Sequence, residues 1–166
     1  MLLILLLVLL AIAFCLSLAE MALVALSKLR LRHLVARGAR NAQLLQRLVN
    51  RMDEVITSII TANNFANTAL SSLGTALCIA WLGPRWGILT ATFIMGTIIV
   101  TLGEITPKVF AIRHADRLAL LLAPAVALLL QVIGPATRIL TMFSNGLLKL
   151  CGVAPKPRSP LVTEEE

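Results

Sequence analysis

Apolar residues gather in three long runs along this chain, and the polar residues inside those runs follow helical spacing. The first run, 1–26, is interrupted in its C-terminal half by Ser17 and Glu20. Three residues apart, these two share one helix face. The second run, 55–82, carries Thr57, Thr61, Asn64, Thr68, Ser71 and Thr75 at steps of four, three, four, three and four. That is a single polar stripe. It cannot face lipid, so it predicts a neighbouring helix or an aqueous cavity. The third run, 87–106, has a thinner stripe of Thr90, Thr97, Thr101 and Glu104. Pro107 is expected to end or kink it, because proline has no N–H for the helix ladder.

The intervening segments have their own signals. In 28–52, arginines alternate with Leu34, Val35, Leu44, Leu45, Leu48, Val49 and Met52, which predicts an amphipathic helix broken about Gly38. Gly83-Pro84-Arg85-Trp86 predicts a tight turn, with Trp81 and Trp86 as interfacial anchors. Beyond Pro107, the stretch 118–133 contains Pro124, Gly134-Pro135 interrupts the run, and 139–150 is shorter still. Neither half comfortably spans about 30 Å of hydrocarbon. Two short juxtamembrane helices in the inner leaflet are expected. The prolines of 154–160 suggest a stiff linker. Residues 161–166 read as a helix start with Thr163 as N-cap, so a cytoplasmic region is expected to follow. These signals divide the chain into a membrane domain, 1–153, and a linker, 154–166.

Composition turns the pattern into a class. Of 166 residues, 58% are hydrophobic and 14% charged, more apolar surface than a soluble domain of this size can bury. The expected fold is all-α and integral to a membrane, with three transmembrane helices, a basic amphipathic connector and two short inner-leaflet helices. The first run has no basic n-region and outlasts a signal-peptide core, so it reads as a retained helix. Cys15, Cys78 and Cys151 lack metal-ligand spacing and read as packing residues.

The formal charge of +7 lies beside apolar spans, which points to a membrane surface and not to nucleic acid. Seven Lys/Arg fall in 28–52, against Arg85 alone in 83–86. The charge rule then puts the connector and the end of the third span in the cytoplasm and the N-terminus outside.

The polar groups within the runs are Ser17, Glu20, Asn63, Asn64, Asn67, Thr68, Ser71, Thr101 and Glu104. Nearly all offer oxygen, the donor that magnesium, calcium and sodium select. Gly103, beside a helix break, could turn a carbonyl into such a cavity. Two readings of this set stand side by side. Asn, Ser and Thr also tie transmembrane helices together, and Glu104 could pair with Lys108 one turn on. Glu20 lies near the basic connector and could pair with its arginines. Neither a phosphate-binding glycine loop nor a base partner for a buried serine is evident, so no enzymatic role is expected.

Three segments resemble the transmembrane domain of the CorC/cyclin-M (CNNM) family of magnesium transporters: Ser17-Leu-Ala-Glu20, Asn63-Asn-Phe-Ala-Asn67 and Gly103-Glu-Ile-Thr-Pro-Lys108. The resemblance implies three transmembrane helices plus short helices at the cytoplasmic side, and a homodimer in the inner or plasma membrane. It also implies Mg2+ export, proposed to be coupled to Na+ entry. The metal site that it implies comprises Ser17, Asn64, Thr68, the Gly103 carbonyl and Glu104, with Asn67 and Ser71 as second choices. Gly103 and Pro107 would form the hinge. A tandem CBS module that binds ATP is expected after the linker, so no ATP site is expected within these residues. The alternative is a magnesium-sensing membrane scaffold that controls another transporter.

Overall fold

A computed structural model describes residues 1–150 of the protein, almost all of them helical. The linker and helix start expected in 154–166 lie outside the described residues. The first apolar run forms α1 (Leu2–Val24). The connector forms α2 (Lys28–Ala36) and α3 (Ala42–Val49), and the break falls where it was expected. Gly38 at φ 65° and Asn41 at φ 66° make the bend, and glycine and asparagine are the residues that tolerate this left-handed region best.

The second and third runs form one helical hairpin, α4 (Met52–Ile98). Gly83, at φ 77° and ψ 169°, leaves the helical region and turns the chain back. Trp81 and Trp86 flank the turn and are both exposed. The two arms pack closely. A Cβ built on Gly87 would lie 2.6 Å from Ile79 Cα, and one on Gly74 would collide with the Met95 side chain. Farther from the turn, Asn67 hydrogen-bonds to Glu104. These three pairs recede from Gly83 in step, as antiparallel arms require.

Packing of α1 against the hairpin makes two apolar clusters. Away from the connector, Leu6 and Ala13 join Ala66, Leu70 and Met95. At the basic end, Leu18, Ala19, Ala22 and Leu23 join Val55, Ile59, and Leu31, Leu45 and Leu48 of the connector. Between the clusters lie Ser17 on α1 and Asn63 on the hairpin, both buried. A polar layer therefore interrupts the core.

Two expectations need correction. Pro107 does not end the third run. The chain widens into a π-helical segment, Ile99–Ile105, where the Thr106 N–H reaches the Thr101 carbonyl. Pro107 then sits in the first turn of α5 (Thr106–Arg113), where a missing N–H costs least. The irregularity thus lies one turn earlier than expected.

Likewise 118–150 is not two short helices but one, α6 (Ala115–Leu150), continuous through Pro124, Gly134 and Pro135. Burial of Ala115, Ala119, Ala123 and Val126 along one face outweighs the local breakers. Three helical stretches are long and apolar enough to cross a membrane: Leu2–Val24, Met52–Arg113 with its two arms, and Ala115–Leu147. The partners of α6 nevertheless lie at the basic end. Asp116 pairs with Arg30 at 3.0 Å, and Arg138 with Glu54 at 3.0 Å, where Glu54 also holds Arg51. Positions 116 and 138 are about 33 Å apart along a helix, yet both meet residues next to the connector. The helix lies across that end of the bundle.

Pro124 removes the donor that the Leu120 carbonyl would use, and Asn41 Nδ2 donates to that carbonyl at 3.1 Å. Asn41→Ala is expected to cost about 1–2 kcal/mol, from an unmet carbonyl and a strained backbone. Asn41→Gly should recover the backbone part only. Thermal unfolding of the solubilised protein checks this, and equal melting of wild type and Asn41→Ala would contradict it.

Candidate metal site

The π-helical segment sets the geometry. Its wide turns place Gly103 against the hairpin's first arm, where Gly103 is buried and a Cβ would lie 3.8 Å from Asn67 Oδ1. Glu104 follows, and Asn67 Nδ2 donates to its Oε1 at 3.1 Å. Pro107 withholds the N–H that an α-helix would aim at the Gly103 carbonyl. The glycine, the carboxylate and the amide therefore converge because the helix is wider than α at this point. Short π-helical turns inside helices are frequent at functional sites.

On the outer side of this contact is a groove of about 450 Å³, lined by Asn64, Asn67, Thr68, Ser71, Ser72, Ile99 and Glu104. The predicted polar stripe contributes three of its six residues to this groove, Asn64, Thr68 and Ser71. Its threonines donate to their own helix: Thr61 to the Thr57 carbonyl, Thr68 to Asn64, Thr75 to Ser71, each at 2.8 Å. Their oxygen lone pairs stay open.

On the inner side, three oxygens are fully buried without a hydrogen-bond partner, Ser17 Oγ, Asn63 Oδ1 and Asn67 Oδ1, and Ser58 Oγ is another, farther along the first arm. Unmet buried polar atoms cost about 1–3 kcal/mol each and call for an explanation. Asn67 bridges the two sides, with its amide nitrogen on Glu104 and its oxygen in the buried set. The donors here are hydroxyl, amide and carboxylate oxygens, with no imidazole or thiol among them. Such a set suits a hard cation.

The charged neighbours also differ from expectation. Lys108 Nζ lies 3.6 Å from Glu20 Oε1. Glu20 therefore pairs across to α5 and not with the connector's arginines. Lys108 turns to Glu20, and the Oε1 of Glu104 is held by a neutral amide.

Residues 3–166 match the cyclin M transmembrane N-terminal domain. The chain belongs to this family. A chloroplastic DUF21 domain-containing protein of Arabidopsis thaliana is 32% identical over 160 residues, covering 96% of this chain and 24% of that protein. A UPF0053 protein of Haemophilus influenzae is 26% identical over 148 residues, covering 89% and 35%. The UPF0053 inner membrane protein YfjD of Escherichia coli is 27% identical over 139 residues, covering 81% and 31%. The chain thus spans well under half the length of these relatives.

Within this cyclin M domain, the structure brings Asn64, Asn67, Thr68, Ser71 and Glu104 together around one groove, and Gly103 is buried beside Asn67 without lining it. Ser17 does not line it and sits instead in the buried layer on α1. Asn67, a second choice from sequence, is the residue in direct contact with Glu104. Asn63 and Ser58, which the stripe passed over, are the buried polar residues of the first arm. A signal was present for one of them: Asn63 and Asn67, four residues apart, share a second face, whereas Ser58 lies off it.

Proposed function

We propose that this domain carries Mg2+ across the membrane, with Glu104 supplying charge and the neighbouring hydroxyl, amide and carbonyl oxygens replacing part of the ion's water shell. One observation supports this reading most. The carboxylate closing an apolar span is held by an amide, beside buried oxygens that no protein group satisfies. Helix glue would have paired them.

The chemistry sets what each residue can do. Mg2+ demands near-octahedral oxygen geometry and gives up water reluctantly. Asn67 holds Glu104 at a fixed angle while offering Oδ1. Gly103 and Glu104 lie on adjacent residues of the widened turn, so a carbonyl and a carboxylate can approach one ion together. A single carboxylate binds modestly, which suits a carrier that must release its cargo. Gly103 lies within, and Pro107 just beyond, the segment whose change between wide and ordinary turns would move Glu104. The role is non-enzymatic. In the same reading the basic end is cytoplasmic, two copies form a homodimer, a CBS module follows, and Na+ entry drives export.

The test is Mg2+ flux from proteoliposomes holding only the purified protein, with and without an opposing Na+ gradient. Flux that rises with the gradient is expected. Mg2+ binding without any flux would favour the sensing scaffold, and no binding at all would end both readings.

A further inference from the structure

Below the polar layer, toward the basic end, lies a second rung. Glu20 stands one turn beyond Ser17 on the same face of α1, and Lys108 stands one turn beyond Glu104. The two meet at 3.6 Å, with side chains 18% and 36% exposed respectively. Lys108 is thus within a turn of one carboxylate and paired with another.

A lysine in this place is a tethered cation. Its ammonium on a flexible four-carbon stem could neutralise Glu104 as a cargo ion does, and two cations cannot share that carboxylate without repulsion. With Lys108 on Glu20, the cluster of Glu20, Lys108 and Glu104 keeps one net negative charge, located on Glu104. Without Glu20, Lys108 and Glu104 cancel before any cargo arrives. We propose that Glu20 is a positioning residue for cation binding: it holds Lys108 as its own counter-ion and so keeps an internal competitor off Glu104. The inference rests on the reading of Glu104 as a ligand of the transported ion.

A purely structural tie between α1 and α5 makes a different forecast. Cutting a tie at either end, or at both, gives the same loss. A competitor held in check gives a rescue.

The experiment is calorimetric titration of Mg2+ into the detergent-solubilised chain for wild type, Glu20→Gln, Lys108→Met and the double variant. Glu20→Gln should weaken Mg2+ affinity about tenfold or more, the range typical of groups that orient a ligand. Lys108→Met should tighten it. The double variant restores one net negative charge and should bind within about twofold of wild type, the scatter expected of additive effects. A double variant as weak as Glu20→Gln would overturn the proposal, whether the cause is a lost tie or misfolding. So would a Glu20→Gln variant that binds like wild type. If the wild-type chain bound no Mg2+, the transport reading itself would fall, and this inference with it.

Discussion

Glu104→Gln is expected to weaken Mg2+ binding by about a hundredfold or more, or about 2.8 kcal/mol at 1.4 kcal/mol per factor of ten. Residues that only orient a metal ligand cost roughly 10–100-fold when replaced, and a direct carboxylate should reach at least the top of that range. Glutamine keeps the length of the side chain and one oxygen, so the loss reports charge and not shape. The hydrogen bond from Asn67 Nδ2 to Oε1 at 3.1 Å can persist to the glutamine oxygen, which protects the fold. Melting in the absence of Mg2+ should therefore stay close to wild type while affinity collapses. Asn67→Leu should weaken binding less and destabilise more, because it both orphans Glu104 and removes an oxygen. Unchanged Mg2+ affinity in Glu104→Gln would return the carboxylate to a packing role.

These expectations depend on details that the residue pattern shows unevenly. The turn was legible because Gly83-Pro84 combines the residue that permits a positive φ with the one that cannot join a helix ladder. The break at Gly38 was legible from the glycine alone, which permits the positive φ found there. Gly134-Pro135 carries equally strong local signals, yet α6 runs through them. Propensity is a weak prior that burial overrides, and the small residues Ala115, Ala119 and Ala123 let α6 sit close against the bundle. A second proline, Pro124, is accommodated because a residue far away in sequence, Asn41, satisfies the carbonyl it strands.

The candidate site was legible as a set of residues but not as a geometry. Steps of three and four identify residues that share a face, and Asn64, Thr68 and Ser71 do share one. Which way that face turns is decided by α1, which meets the other side of the arm. Buried Asn63 and the half-buried Asn67 therefore offer oxygens inward while Asn64, Thr68 and Ser71 border the groove. The π-helical segment left no mark in the spacing. Counting at 3.6 residues per turn puts Thr101 and Glu104 on one face, but the widened turns leave Thr101 exposed and bury Gly103. The one residue-level cue was Pro107, whose missing N–H favours a rearranged ladder in the preceding turn.

Gly87→Ala is expected to destabilise the hairpin by about 3 kcal/mol, the upper end of what an overpacked contact costs. The added methyl would fall 2.6 Å from Ile79 Cα and 2.8 Å from its nitrogen, and backbone atoms cannot step aside. The arms must separate instead. Gly74→Ala makes the instructive comparison, because the nearest atoms to its methyl all belong to the Met95 side chain, a flexible thioether that can change rotamer. It should cost distinctly less, at about 1 kcal/mol. The consequence for function follows from where these contacts lie. Asn67 and Glu104 face each other across the same two arms, so their hydrogen bond lasts only while the arms stay in register and close. Gly87→Ala should therefore lower both the melting temperature and the Mg2+ affinity, although residue 87 is some five helical turns from Glu104. Gly74→Ala should leave affinity nearly intact. Equal melting of the two variants would show that the arms are not held by backbone contact near the turn. Lowered stability with unchanged affinity would show that the site is set by the π-helical segment alone.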